Sequence, residues 1–399
     1  MTRPNRNSGG SAVPLSLYIH IPFCRARCSY CAFNTYTGLS ALIPAYVHAL
    51  CQELDRWGAA RSWPALHTVY FGGGTPSVLS SEQVGRILDA VAQAFTLAEG
   101  LEVTLEANPT ALEASYLRGV RRAGVTRLSL GTQAAQEELL HRFRRDHDWE
   151  AVVGSVEAAR LAGFDNLNLD LIYGVPGQDM AAWKESLKRA LALCPEHLSL
   201  YSLSVEPGTA MHAWVERGRL EAPDPDRAAD MYDHACEVLA ARGFAHYEIS
   251  NWARTGFECR HNMQYWRNQP YLGVGAGAHG YVDGLRYAVV SAPRAYIRRM
   301  ATGDGQVDRL PSPAVDLETV EVTGVEQARL ETIMLGLRLL DEGVSRQGFI
   351  ERFGISVEAC YGPQLQRLTA LGLLDMLPDR VRLSARSWLI SNLVLEYFV

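Results

Sequence analysis

The strongest constraint on the fold is an alternation of short apolar segments with stretches of helical periodicity over the first half of the chain. Six segments have the length and composition of buried strands: Leu15–Ile21, His67–Phe71, Leu101–Glu106, Arg127–Gly131, Asn166–Ile172 and His197–Ser202. The helices between them are expected at Ala41–Trp57, Ser81–Phe95, Ala111–Ala123, Glu137–Arg142, Glu150–Ala162 and Met180–Leu193. Six such βα units favour an α/β fold with a parallel sheet, either doubly wound or rolled into a complete or partial barrel.

The second half of the chain suggests an extension of this core and a separate small domain. Tyr232–Arg242 has helical periodicity, and Ala245–Ile249 has the pattern of a further strand. Residues 303–324 lack clear periodicity and are expected to form a linker. Three helical stretches, two short β runs and a final helix then predict a winged-helix-like α+β domain over 325–399. Residues 1–13 are expected to be a disordered tail, and 14–302 the core with its extension.

Chemically informative residues follow the ends of the predicted strands. Cys24–Cys31 come after the first strand, Gly72–Ser77 after the second, Glu106 ends the third, Gln133 follows the fourth, and Asp170 lies near the end of the fifth. The carboxyl ends of parallel strands meet at one edge of a sheet or barrel, and ligands collect there. The sequence therefore predicts one site built from these five places.

Three of the eight cysteines, Cys24, Cys28 and Cys31, fall within eight residues of each other. Thiolates are soft ligands that suit zinc or iron–sulfur clusters. A closed zinc site requires four ligands. The next nearby position holds Phe33, which cannot bind metal, and His20, although close in sequence, lies within an alternating strand. Three thiolates on one loop therefore favour a [4Fe–4S] cluster with one iron left open. Zinc-binding or merely solvent-facing cysteines remain the alternatives.

Beyond the cysteines, motifs spread over residues 15–399 resemble the oxygen-independent coproporphyrinogen III oxidase family of the radical S-adenosylmethionine (SAM) superfamily. The resemblance implies a radical SAM fold, a partial TIM-type βα barrel, with a [4Fe–4S] cluster and SAM as cofactors. The motifs are Tyr18–Cys24, Tyr70–Ser77, Asn168–Gln178, Ser199–Leu203, Glu206–Thr209, His246–Asn251 and His261–Trp266.

Two features indicate the branch within this family. Its dehydrogenases carry a fourth cysteine two residues after the third, where this chain has Phe33, and they have a longer N-terminal arm. The motif His261-Asn-x-x-Tyr-Trp266 is similar to that of the haem-chaperone branch. The resemblance thus implies a protein that binds haem and passes it to an acceptor. The alternative is an enzyme, the oxygen-independent coproporphyrinogen III dehydrogenase.

The resemblance also implies roles for individual residues. Cys24, Cys28 and Cys31 would bind three irons of the cluster, and SAM would chelate the fourth. Gln133, Arg145 and Asp170 match positions of a second SAM in the dehydrogenase, and Arg144 competes with Arg145 for its place. The positions that match SAM contacts are Tyr18, Tyr30, Gly73, Gly74, Thr75, Glu106, Gln133, Arg145 and Asp170.

His261 is the candidate axial ligand for haem, because imidazole is a common haem ligand and the neighbouring aromatic residues could stack on a porphyrin. The alternative for His261 is a buried hydrogen-bond network. Cys259 is a competing ligand, and His279 is a weaker one.

Composition limits the partners and the location. The net charge of −6 argues against a protein that binds nucleic acid through bulk charge. Neither a signal peptide nor a membrane-spanning run of about 20 apolar residues is evident, so a cytoplasmic location is expected. The unknown haem acceptor is expected among respiratory-chain proteins, with any peripheral membrane contact made through it.

Overall fold

The structure, a computed structural model, describes residues 13–110, 112–303 and 310–399. Within them, twelve strands form one mixed sheet. They are β1 (Leu15–Ile21), β2 (Leu66–Gly73), β3 (Leu97–Ala107), β4 (Arg127–Gln133), β5 (Leu167–Tyr173), β6 (His197–Ser202), β7 (Ala245–Glu248), β8 (Asn251–Ala253), β9 (Tyr271–Val274), β10 (His279–Val282), β11 (Leu285–Val289) and β12 (Val315–Val322).

The first six strands lie side by side in chain order and are all parallel. β9 adds a further parallel strand beside β1, and β10 to β12 continue the sheet in antiparallel fashion. At the other end, β8 and β7 are antiparallel additions beside β6. The six parallel strands keep their chain order, as in a barrel and unlike a doubly wound sheet, and the sheet ends at β12 and β7 without closing. The prediction of an α/β fold of the partial-barrel kind is confirmed.

Strand β4 shows how the alternation of side chains divides the core from the site. Arg127, Ser129 and Gly131 face a cavity inside the sheet, whereas Leu128 and Leu130 lie in the hydrophobic core. This follows from the period of two residues along a strand. One face of the sheet is therefore free to carry polar groups while the other packs on helices.

Helices accompany the strands of the sheet, and several neighbouring helices contact each other. Local signals explain where they begin; for example, the Ser80 hydroxyl accepts from the Gln83 N–H while the Gln83 side chain accepts from the Ser80 N–H, a capping box. The helices are α1 (Ile43–Ala60), α2 (Ser81–Ala94), α3 (Ala114–Ala123), α4 (Glu137–Phe143), α5 (Trp149–Leu161), α6 (Met180–Ala192), α7 (Ala210–Glu216), α8 (Pro225–Ala241), α9 (Arg260–Trp266) and α10 (Pro293–Thr302). Short 3-10 turns cover Ser40–Leu42 and Pro76–Val78.

The C-terminal residues form a small unit with its own hydrophobic core. Its three-stranded antiparallel sheet has the order β13-β15-β14, in agreement with the predicted α+β composition. Its elements are α11 (Val325–Gly336), β13 (Val344–Ser345), α12 (Arg346–Phe353), α13 (Val357–Ala370), β14 (Leu374–Met376), β15 (Arg380–Leu383) and α14 (Ser391–Leu395), with 3-10 turns at Ala385–Ser387 and Glu396–Phe398.

The C-terminal unit is fastened to the main sheet by main-chain and side-chain contacts. The Leu340 N–H donates to the Tyr247 carbonyl at 3.0 Å, and Glu248 forms a β-bridge with Leu339. The Arg267 guanidinium binds both carboxylate oxygens of Glu342, at 2.7 and 2.6 Å. Strand β7 and Arg267 thus join the two units.

Three expectations need correction or fall outside the described residues. Part of the expected linker, Val315–Val322, is strand β12, because pairing with β11 satisfies its backbone in spite of its exposed side chains. The predicted helix Ser387–Phe398 is broken into two 3-10 turns and the five-residue α14. The expected tail 1–13 lies outside the described residues except for Val13, as do Ala111 and residues 304–309.

In the part of the chain that the structure describes, every helix falls short of the length or apolarity needed to cross a bilayer.

A buried carboxylate ties α1 to the far part of the sheet, and this generates a prediction. Glu53 accepts from the Gly275 N–H at 2.8 Å, the Tyr296 hydroxyl at 2.7 Å and the Ser312 hydroxyl at 2.5 Å. Glu53→Ala is expected to lower the free energy of unfolding by about 3–5 kcal/mol, since three buried donors lose their acceptor. Chemical denaturation measures this. The exposed Asp55→Ala on the same helix is the control, expected within about 0.5 kcal/mol of the parent; similar values for both variants would contradict the prediction.

Candidate functional site

The three clustered cysteines lie on the loop that follows β1. The loop is held at both of its sides: the Cys24 N–H donates to the Tyr36 carbonyl at 3.0 Å, and the Ser29 N–H and hydroxyl donate to carbonyls at the end of α4, at 3.0 and 2.6 Å. Cys24, Cys28 and Cys31 are half-buried and line a cavity of about 770 Å³. Their thiols are therefore held at the wall of an internal space.

Two of the thiols receive hydrogen bonds from neighbouring elements. The Thr75 hydroxyl donates to Cys24 Sγ, and Arg145 Nη1 donates to Cys28 Sγ, each at 3.3 Å. Burial raises the pKa of the Cys24 thiol, and the Thr75 hydrogen bond opposes that rise. The Thr75 hydrogen bond therefore favours the charged form of Cys24, and a thiolate is the form that binds metal.

The glycine loop after β2 packs directly against the cysteine loop. The Gly74 N–H donates to the Ile21 carbonyl and the Thr75 N–H to the Phe23 carbonyl, both at 2.9 Å. Gly73 has a φ of +109°, and a Cβ there would collide with the His20 ring. Only glycine allows this backbone to turn so close to its neighbour.

Two buried carboxylates face the cavity from β3 and β5. Glu106 accepts from the Tyr70 hydroxyl at 2.8 Å and from the Gly73 N–H at 3.3 Å. Burial raises the pKa of Glu106 to about 7 despite these bonds. Asp170 accepts from the Asn168 amide at 2.7 Å and the Ser129 hydroxyl at 3.2 Å, and burial raises its pKa as well.

Arg145 and Arg144 have different environments although they are adjacent. Besides its bond to Cys28, Arg145 Nη2 donates to Asn108 Oδ1 at 2.6 Å and to the Gly131 carbonyl at 2.8 Å, and its Nε is buried with no partner among the described residues. Arg144 ends α4 in a left-handed conformation and lies exposed, with its guanidinium 5.0 Å from the centre of the Trp214 ring. Of these two neighbours, Arg145 is held inside the site by hydrogen bonds, whereas Arg144 lines the cavity with an exposed side chain.

The cavity brings together most of the residues predicted from the sequence. Tyr18 is an exception: it lies beneath the wall, where its hydroxyl donates to His20 Nδ1 at 3.0 Å. The predicted residues that line the cavity are Cys24, Cys28, Tyr30, Cys31, Gly73, Gly74, Thr75, Glu106, Gln133, Arg145 and Asp170.

The structure places His261, the expected axial ligand for haem, away from the cavity. Its side chain is buried outside the cavity wall, Nδ1 donates to the Thr68 hydroxyl at 2.7 Å, and Nε2 accepts from the Tyr265 hydroxyl at 2.8 Å. Burial lowers the pKa of His261 to about 3. Cys259 is equally buried, whereas His279 is exposed. The alternative of a buried hydrogen-bond network therefore describes His261.

Sequence reasoning missed the polar floor of the cavity. Arg127, Ser129, Asn168 and Ser199 line it and could have been recognised as alternate polar positions within otherwise apolar strands. From this floor a hydrogen-bond chain leads outward. His197 Nδ1 donates to Asn168 Oδ1 at 2.6 Å, and the Tyr247 hydroxyl donates to His197 Nε2 at 2.8 Å.

Comparison with known proteins identifies the relatives of this arrangement. Residues 18–190 match the family model described as the radical SAM superfamily, and residues 325–390 match the HemN C-terminal domain. The chain is 39% identical over 385 residues to heme chaperone HemW of Bacillus subtilis, covering 96% of this chain and 99% of that protein. It is 35% identical over 394 residues to heme chaperone HemW of Escherichia coli, covering 97% and 98%.

The chain belongs to the HemW family of the radical SAM superfamily. A solved structure of coproporphyrinogen III oxidase (HemN) from Escherichia coli superimposes with a TM-score of 0.81 at 23% identity, covering 97% of this chain and 90% of that one. This likeness shows that the HemW-family chain shares the HemN fold. The family resemblance inferred from the sequence motifs is confirmed.

Glu106 generates a prediction about the electrostatics of the site. Its carboxyl should titrate with a midpoint of about 7, and Tyr70→Phe should raise that midpoint further, because the lost hydrogen bond stabilised the charged form. Carbon-13 NMR of labelled glutamate, assigned through Glu106→Gln, measures the midpoint. Tyr116→Phe at the same cavity, whose hydroxyl has no partner among the described residues, is the control. A midpoint near 4.5 would contradict the prediction.

Proposed function

We propose that this chain is a haem chaperone, which binds haem and transfers it to an acceptor protein, and that it carries a [4Fe–4S] cluster with SAM at the open iron. The observation that carries the proposal is the nearly full-length similarity to proteins named heme chaperone HemW. Phe33, standing where the dehydrogenases have a fourth cysteine, supports the chaperone over the enzyme.

The donor set of the cavity fits the cluster. Three thiols on one loop can each bind a separate iron, which leaves the fourth iron open. No group of three His, Cys, Asp or Glu side chains in the described ranges is arranged to hold a single metal ion. Three thiols without a fourth ligand nearby in the sequence favour a multi-iron cluster over a closed zinc site, which takes four ligands. When bound, such a cluster supplies an electron and an open coordination position.

The remaining lining residues fit SAM. Arg145, with an unpartnered buried Nε, can hold a carboxylate. Glu106 can accept from an ammonium group and Asp170 from ribose hydroxyls. The backbone at Gly73 and Gly74 lines the cavity beside the cysteine loop, where its polar groups can face a ligand. These residues bind and orient SAM and keep water from it.

We further propose a cytoplasmic location and an acceptor among respiratory-chain haem proteins, with membrane contact made only through that acceptor. The location is supported by the clustered cysteines, which need a reducing compartment to remain free for iron.

Removal of the cysteines tests the cluster. Cys24→Ala, Cys28→Ala and Cys31→Ala should each abolish the visible absorption of the anaerobically reconstituted protein and lower bound iron and sulfide, because each thiolate holds its own iron. Cys194→Ala, an exposed cysteine elsewhere, is the matched control and should keep the full cluster. Iron and sulfide that stay stoichiometric in the triple variant would overturn the cluster assignment.

A second experiment on the same reconstituted protein separates chaperone from enzyme. Haem titration should show saturable binding, and incubation with an apo-haem acceptor should move the haem to it. Coproporphyrinogen III with SAM and a reductant should yield no protoporphyrinogen under anaerobic conditions. Protoporphyrinogen formed over many turnovers, or no haem binding at all, would defeat the proposed function.

A further inference from the structure

Only one of the three candidate haem ligands reaches the surface. His261 and Cys259 are both 1% exposed, and both ring nitrogens of His261 are already bonded. To bind iron, His261 would have to leave a packed core and abandon two hydrogen bonds. His279 begins β10 with an exposed side chain, so its imidazole can meet a ligand without any rearrangement of the core.

The segment that leads to His279 contacts the end of the loop that carries the cysteines. The Asn34 amide, next to Phe33, donates to the carbonyls of Ala276 and Ser291 at 3.1 and 3.0 Å. His20 Nε2 donates to the Asn34 carbonyl at 3.0 Å. Burial lowers the pKa of His20, and His279 adds a smaller effect in the same direction. The end of the cysteine loop is therefore pinned to the segment that presents His279.

The same loop presents an apolar aromatic surface at the cavity. Phe33 lines the cavity and is 68% exposed. An exposed phenyl ring gains stability from stacking against a flat apolar partner. An aromatic ligand that covers the mouth of the cavity would supply one.

Two cations stand near this ring. Arg25 and Arg27 are exposed, line the cavity and form no salt bridge with the residues that the structure describes. Arg27 makes one long hydrogen bond, 3.4 Å to the Cys31 carbonyl. Both guanidinium groups are thus free to bind carboxylates.

Haem matches this combination of groups, since it has a flat apolar macrocycle, two propionates and an iron that takes an imidazole ligand. The cavity of about 770 Å³ has the size of a site for one drug-sized molecule. In the proposed function the cluster and SAM occupy it. Haem would therefore bind at the rim of the cavity and not in its interior.

We propose that haem docks across the mouth of the cavity, with His279 as axial ligand, Phe33 against the macrocycle, and Arg25 and Arg27 on the propionates. This rests on the proposed haem-chaperone function and assigns the cargo a place on it. Haem bound there covers the cysteine loop, so cargo and cluster lie face to face.

Titrations with three porphyrins distinguish the contacts made by His279, by Phe33 and by the two arginines. The full chain is used with its cluster in place, so that the cysteines are not free to bind haem iron. Haem tests all contacts, metal-free protoporphyrin IX lacks the iron, and haem dimethyl ester lacks the propionate charges. His279→Ala should weaken haem binding at least about tenfold and leave protoporphyrin IX binding within about twofold. Phe33→Ala should weaken binding of all three. Arg25→Gln with Arg27→Gln should weaken binding of haem but not of the dimethyl ester.

A ligand exchange tests the iron contact directly. His279→Cys should restore haem binding with the altered Soret band of a thiolate-ligated haem, a spectral change that a merely structural residue would not cause. His48→Ala, an exposed histidine on α1, is the matched control and should behave as the parent chain. Thermal melting of each variant shows whether it is folded.

The outcomes distinguish failure of the proposed function from failure of the proposed docking site. If the parent chain binds no haem, the proposed function fails. If the parent binds haem and folded His279→Ala binds it with the same affinity and spectrum, the proposed function stands and the docking site is wrong. If folded His261→Ala loses haem binding while His279→Ala binds haem as the parent does, the axial ligand is His261 and the proposed docking site is wrong.

Discussion

The site depends on the way the β1–β2 pairing continues past the ends of the strands. The Gly74 and Thr75 N–H groups bond to the carbonyls of Ile21 and Phe23, so the glycine loop and the cysteine loop leave the sheet as one joined layer. These backbone bonds fix the point at which the cysteine loop leaves the sheet. The other functional groups come from strand ends at the same edge of the sheet, where a parallel arrangement must bring them.

The cavity is polar inside a protein whose sheet is otherwise packed with apolar side chains. Its carboxylates are buried yet bonded to hydroxyl, amide and backbone donors, which offsets part of the cost of removing charge from water. The raised pKa of Glu106, about 7, shows that the offset is incomplete. A cationic ligand such as SAM would stabilise the charged carboxylates further. An anionic group would likewise satisfy the unpartnered Arg145 Nε.

Much of this arrangement could be predicted from the sequence. Strands β1 and β6 have their predicted bounds, because apolar runs between turn residues mark buried strands clearly. Strands β8 to β12 were missed: most are only three to five residues long, and the eight-residue β12 is held by its neighbour and not by an apolar face.

The side chains show a similar division. Motif spacing located Cys24, Glu106 and Asp170 because their positions follow from the strand ends. Motif spacing could not distinguish a buried His261 from an accessible one. Burial depends on contacts with Tyr265, one helical turn away, and with Thr68, which is distant in the chain. Nor could it separate Arg145 from Arg144, whose different orientations follow from the end of α4.

Strand β7 joins the C-terminal unit to the cavity floor. Tyr247 bonds to Leu340 through its carbonyl and to His197 through its hydroxyl, and His197 bonds to Asn168, which holds Asp170. Cutting the chain before α11 would bare the Tyr247 carbonyl and the edge of β7. The C-terminal unit is therefore no detachable module: removing it would unpair main-chain groups of β7 and loosen a chain of hydrogen bonds that ends at the cavity floor, although none of its residues lines the cavity.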